Sequence, residues 1–223
     1  MKVAIVSFGH VDVVLPLLKH LQGSSVIVDL YLCFSLNRKS ESILDFSDKT
    51  IPTGFTNDKK TEELLGPEII KYLGDKTKVQ FFIFYNQKLR SVRNIFLSKT
   101  LTDRLKLYDI VHFNGTNGIL PILIYLLRKK KLIFTIHDLQ SHSGESTRFN
   151  FAEKLNEFIL RSKYPVIVQN VQDLEKLKNE YFEVKDKFKF IPFGETEIYR
   201  EFEKEDQHHH HHSLGKSKNS NDL

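Results

Sequence analysis

Tryptophan is absent from this chain of 223 residues, and cysteine occurs only once. A lone thiol, Cys33, has no partner within the chain, which excludes a disulfide framework and a multi-cysteine zinc site and fits a reducing cytosol. No apolar run reaches the roughly 18 residues that a membrane span needs. The opening Met1-Lys2-Val3-Ala4-Ile5-Val6 lacks a small-residue cleavage site, so a cytoplasmic chain that neither spans a membrane nor is secreted is expected. The GxGxxG, GxxxxGK, HExxH and GxSxG patterns are also missing. These absences argue against the usual dinucleotide fingerprint, a phosphate loop, a helical zinc protease site and a Ser-His-Asp hydrolase.

What remains has ordinary globular composition, with 40% hydrophobic and 27% charged residues. Lys and Arg exceed Asp and Glu by 33 − 28 = +5. This mild excess favours an anionic partner without choosing among membrane surface, nucleotide and nucleic acid. Many of the 18 phenylalanines lie in β-type runs and are expected to fill a core. From Glu203 the chain turns polar and runs through His208 to His212, a composition that cannot bury a core. Residues 203–223 are therefore read as a disordered tail, its histidine run as an expression tag or slipped coding repeat rather than a native metal site. His10, His20, His112, His137 and His142 remain as candidates for chemistry.

Short apolar runs alternate with amphipathic helical stretches over residues 1–202. Strands are expected at Val3–Phe8, Ser25–Phe34, Val79–Tyr85, Ile110–Phe113, Leu132–Ile136, Val166–Val168 and Phe188–Ile191. The first helix carries Val13, Val14, Leu17, Leu18 and Leu21 on one face, with Pro16 expected near its first turn. Further helices are expected at Glu62–Leu73, Leu89–Leu107, Ile119–Arg128, Phe151–Arg161 and Val171–Tyr181. Residues 35–58 read as a long irregular excursion with no assignable role. This alternation implies right-handed crossovers and an α/β fold with a doubly wound, mostly parallel, Rossmann-like sheet. Ligands of such sheets bind beyond the carboxyl ends of the strands, so candidate site residues are sought there.

Three strand ends stand out. Gly9-His10 after the first strand can admit a phosphate to the following helix N-terminus, although a plain tight turn explains it equally well. Asn114-Gly115-Thr116-Asn117-Gly118 offers a small-residue groove floor, or a helix cap at Asn114 or Thr116 with turn glycines. His137-Asp138, followed by His142, can place an imidazole and a carboxylate over a ligand for hydrogen bonding to sugar hydroxyls or charge stabilisation, or can cap loops. Two basic segments, Gln87–Lys99 and Arg128–Lys131, suit anionic lipid headgroups, the second also complementing a helix dipole. No recognition motif of the usual nucleic-acid-binding modules is present, so nucleic acid is not expected as a partner.

Tyr108-Asp109-Ile110-Val111-His112-Phe113-Asn114-Gly115, Phe134-Thr135-Ile136-His137-Asp138, Val166-Ile167-Val168-Gln169-Asn170 and Lys189-Phe190-Ile191-Pro192-Phe193-Gly194 occur in an order and spacing that resembles the N-terminal domain of glycosyltransferase family 4. Asn170 stands where that family usually has Ser. The resemblance covers about residues 1–202 and implies the N-terminal, acceptor-side half of a retaining GT-B enzyme. Such an enzyme moves a sugar from a nucleotide-sugar to a polysaccharide or glycolipid acceptor and uses no cofactor or metal base. Gly9 would then lie near the donor diphosphate, His137 near the transferred sugar as the catalytic candidate, and Asn114, Gly115 and His142 along the acceptor side, with His10, Thr116 and Asp138 as further substrate- or donor-binding candidates. The family's basic diphosphate-gripping pair and E-x7-E motif belong to a second domain outside these 223 residues, so the chain alone is expected not to turn over. A split transferase with its donor-binding domain on a separate chain, and a non-catalytic glycan- or protein-binding module, are the alternatives. The basic Lys88–Lys99 segment makes peripheral contact with the inner membrane face an expectation for a lipid-linked acceptor.

Overall fold

The computed structural model describes residues 1–41, 43–137 and 151–190. An eight-stranded sheet organises them, built from β1 (Lys2–Phe8), β2 (Ile27–Ser35), β5 (Gly54–Phe55), β6 (Lys78–Phe84), β7 (Ile110–Asn114), β8 (Lys131–Thr135), β9 (Val166–Val168) and β10 (Phe188–Phe190). Their order is β10-β9-β8-β7-β1-β2-β6-β5, and only the β5–β6 edge pair is antiparallel. This is the α/β architecture expected from the alternating pattern. Winding runs outward from β1 through β2 to β6, then restarts at β7 on the other side, so the order reverses between β1 and β7.

Both faces of the sheet are covered, which explains why its strands read as continuous apolar runs. Along β1, Val3 and Ile5 face α1 (Val11–Leu21), joined by Val14, Leu15 and Leu18. Ala4, Val6 and Phe8 face the opposite layer, where Leu101 and Leu105 of α4 (Val92–Leu105), Leu123 of α5 (Leu120–Leu126) and Ile159 of α6 (Phe151–Arg161) pack. Phenylalanine fills both layers: Phe34, Phe46 and Phe81 meet on the first, and Phe113 stacks between Phe8 and Phe134 on the second.

Several local expectations change. The helix read as Glu62–Leu73 is two, α2 (Asp58–Leu65) and α3 (Pro67–Leu73), because Gly66 has φ +82° and Pro67 cannot donate the continuing hydrogen bond. Pro16 sits at the sixth residue of α1, not in its first turn, because the helix already starts at Val11. The excursion contains a short antiparallel hairpin, β3 (Ser40–Glu41) with β4 (Leu44–Asp45), as well as the edge strand β5. Asn57 and Asn170 cap α2 and α7 (Val171–Glu180) through their side-chain oxygens. A 3-10 turn at Phe182–Lys187 leads into β10, and there Lys187 Nζ donates to the carbonyls of Ile159 and Ser162 at the end of α6. The expected polar tail at 203–223 and the Ile191–Gly194 part of the fourth resembling segment lie outside the described residues.

Candidate functional site

The reversal between β1 and β7 opens a crevice at the carboxyl edge of the sheet, the place where open α/β sheets hold ligands. Register sets the chemistry there. Ser7 pairs with Asn114, and Asn114 with Thr135, so three polar side chains lie in one row across three neighbouring strands. All three are buried, as is His112 one pleat deeper on the same face of β7. His112 Nε2 lies 2.7 Å from Thr135 Oγ1. Burial, with a smaller contribution from His137, lowers the His112 pKa to about 3 and keeps the ring neutral.

From this row a hydrogen-bond chain rises to the surface with one consistent direction. The Gly9 carbonyl can only accept, so Ser7 Oγ donates to it at 2.6 Å and must itself accept, at 3.0 Å, from Asn114 Nδ2. Asn114 Oδ1 then faces His137 Nε2 at 2.8 Å, which makes Nε2 the protonated nitrogen. His137 Nδ1 is left to accept from the exposed Gln169 Nε2 at 2.7 Å. The chain fixes one neutral tautomer and one ring orientation for His137. The ring also stacks on His10, with centroids 3.7 Å apart and planes 15° from parallel.

His10 reaches that position through an unusual backbone. Gly9 and His10 are both left-handed, at φ +75° and +52°, and His10 is the only non-glycine residue with positive φ among the described residues. For a residue with a Cβ this costs about 1 kcal/mol or more. The turn aims the ring over Gly115, where an added Cβ would come within 3.0 Å of both His10 Cδ2 and the Phe8 carbonyl oxygen. Gly9 is held by its left-handed φ, and the Glu41 carboxylate, a movable side-chain end, lies where its Cβ would be. Glu41 Oε1 accepts from the His10 backbone N–H at 3.0 Å, so a carboxylate occupies the electropositive N-terminus of α1. Arg38 stands 3.9 Å from the same carboxylate.

Beside this cluster is a recess of about 50 Å³ lined by Gly9, Ser35, Arg38, Glu41, Gln87 and Thr116 among others, enough for a few water molecules. A larger ligand must therefore lie across the edge rather than inside it.

The structure thus brings together His10, Gly9, Asn114, Gly115 and His137, and sets Thr116 on the recess wall. Asp138 and His142 lie outside the described residues. Neither Asn114 nor Thr116 caps α5: Ile119 stands at its N-cap, and Asn117 Oδ1, just ahead, accepts from the N–H groups of Ile119 and Leu120. Sequence reasoning missed Glu41, Gln169 and Ser7. Glu41 is carried by a two-residue strand with no periodic signal; Gln169 follows the last residue of β9, the kind of position that deserved inspection. Among the described residues no cluster of three or more His, Cys, Asp or Glu side chains is arranged to hold a metal ion.

No family model matches the chain, and no curated protein does. Among solved structures it is similar to the UDP-GlcNAc 2-epimerase from Neisseria meningitidis bound to UDP-GlcNAc, at 14% identity and TM-score 0.51, over 84% of this chain and 45% of that one. A second UDP-N-acetylglucosamine 2-epimerase is similar at 12% identity and TM-score 0.45, over 81% of this chain and 45% of that one. At such identity the likeness establishes the fold, a Rossmann-like domain of GT-B type. The chain spans less than half the length of these neighbours.

Proposed function

We propose that this Rossmann-like domain is the acceptor-side half of a nucleotide-sugar enzyme, and specifically of a retaining glycosyltransferase of the family 4 type acting on a polysaccharide or glycolipid acceptor. The observation that carries the reading is the directed chain Gly9–Ser7–Asn114–His137–Gln169, which holds one neutral imidazole at the strand-order reversal. Gln169 is the exposed, exchangeable end of that chain. A sugar hydroxyl that displaces its carboxamide donates to His137 Nδ1, leaving the Nε2–H···Asn114 bond to keep the ring in place. The Gly9–His10 turn and the N-terminus of α1 supply N–H groups and partial positive charge to a diphosphate once Glu41 has moved aside. A neighbouring fold solved with UDP-GlcNAc supports a nucleotide-sugar as the ligand class. A second domain, covalently attached or on a separate chain, supplies the opposite wall and the main grip on the donor.

The test starts with the protein recovered from its source together with whatever accompanies it. An intact mass well above the 26.1 kDa of this chain, or a co-purifying donor domain at that mass, is expected. That material, supplied with UDP-, GDP- and ADP-sugars and candidate acceptors, should release nucleoside diphosphate only when acceptor is present. His137→Ala should lower the rate by about 100-fold or more, with little change in melting temperature. An unchanged rate removes His137 from the mechanism. Robust transfer by the isolated 223-residue chain refutes the two-wall reading, and acceptor-independent conversion of UDP-GlcNAc replaces transfer with epimerisation.

A further inference from the structure

The helix that follows β6 is turned inside out over its first two turns. Asn94 and Ser98 are fully buried, whereas Val92, Ile95 and Phe96 are 64%, 47% and 69% exposed. The second half of α4 has the ordinary polarity, with Leu101 and Leu105 buried and Asp103 exposed. Asn94 explains how the inversion is held. Its Oδ1 accepts from the Tyr85 N–H at 3.0 Å, and its Nδ2 reaches Asn86 Oδ1 and the carbonyls of Asn86 and Lys88. Asn94 is thus spent on pinning the preceding loop, and Val92, Ile95 and Phe96 are left outward. Around it stand Lys88, Arg90, Arg93 and Lys99. Arg93 lies 4.6 Å above the half-exposed Tyr85 ring, and only Lys99 has an acidic partner among the described residues, Asp103 at 3.2 Å.

We propose that this face docks on an anionic lipid bilayer, with Val92, Ile95 and Phe96 inserted at the boundary between headgroups and acyl chains and the four cations at the headgroups. Apolar residues ringed by Lys and Arg, three of the four without an acidic partner among the described residues, match a surface that is apolar beneath and negative above. A second copy would bring the same cations face to face, and a nucleic acid would leave the apolar residues unused. The loop at Gln87 packs against Gly118, beside the recess, so the docked face adjoins the mouth of the candidate site. The inference stands on this surface and holds whether or not the chain takes part in sugar transfer.

Co-sedimentation of the 223-residue chain with phosphatidylcholine vesicles, with and without phosphatidylglycerol, tests it at about pH 8, above the ordinary histidine range. Binding is expected only with phosphatidylglycerol and should weaken as salt is raised. The double variant Ile95→Ser/Phe96→Ser and the triple variant Lys88→Glu/Arg90→Glu/Arg93→Glu should each weaken it roughly tenfold or more. Both sets are exposed, so urea midpoints should stay at the wild-type value. Lys129→Glu/Lys130→Glu, in the other basic run, should leave binding unchanged. No binding to anionic vesicles, or equal loss from Lys129→Glu/Lys130→Glu, overturns the proposal. So does a lipid-free dimer that Phe96→Ser abolishes, which would make a second copy the occupant.

Discussion

At the amino edge of the sheet, Asp29, Tyr31 and Tyr108 form a buried polar network. Tyr108 Oη donates to Asp29 Oδ2, which leaves Tyr31 Oη to donate to Tyr108 across 2.7 Å. At the carboxyl edge the Ser7–Asn114–His137 chain begins equally deep but ends on an exposed side chain, Gln169. The first network closes on itself in the interior, with Lys2 Nζ 4.7 Å above the Tyr108 ring. The second keeps one replaceable partner, and beside it lie strained backbone at His10 and close approaches at Gly9 and Gly115. Two networks of similar composition differ in exposure, since one lies wholly in the interior and the other ends on a side chain in solvent.

Four substitutions or titrations sharpen that contrast. Tyr108→Phe removes the donor to a buried carboxylate and should cost about 2–3 kcal/mol in urea denaturation, with nucleotide affinity unchanged. Were affinity to fall with it, the two edges would be coupled rather than separate. Acidification should follow at about 2 kcal/mol between pH 6.5 and pH 5. The folded pKa of His112, about 3, lies below its ordinary value near 6.5, so the unfolded chain takes up the proton first. The contribution of neutral His112 is therefore complete above about pH 6.5 and is lost as pH falls toward 3, at about 1.4 kcal/mol per unit. In His112→Asn that slope should flatten, as measured by urea midpoints across the range.

Gly115→Ala should cost about 2 kcal/mol, since the residue is left-handed and its Cβ would press on a backbone oxygen that cannot yield. The same change should displace His10 from His137, read as altered imidazole resonances by NMR. Glu41→Gln should have the smallest effect on stability, under about 1 kcal/mol, because its hydrogen bond to His10 N–H survives without the charge. It should strengthen UDP binding several-fold by removing a competing anion from the end of α1; weaker binding would make Glu41 a ligand group instead.

Much of this could be read from the residues. Continuous apolar runs located every long strand, and small residues after β1 and β7 marked the crevice floor, because backbone geometry and burial impose those patterns locally. The hydrogen-bond register that aligns Ser7, Asn114 and Thr135 could not be read, since it pairs separate strands and joins Ser7 to a residue more than a hundred positions away. Glu41 lay in a stretch without periodicity, and its meeting with Gly9 depends on how a hairpin folds back over the sheet. The expectation that phenylalanines in β-type runs fill the core holds for the stacked rings, whereas the exposure of Phe96, on a helix, follows from Asn94 claiming the inward side of α4.

By itself the sequence determined the class of fold, the direction of its strands and the edge at which to look, because hydrophobic period and turn chemistry act over a few residues. Tertiary structure alone decided which tautomer His137 holds, which anion rests on α1, and which side of α4 meets solvent. Those outcomes follow from long-range pairings whose partners are fixed only when the chain has closed into a sheet.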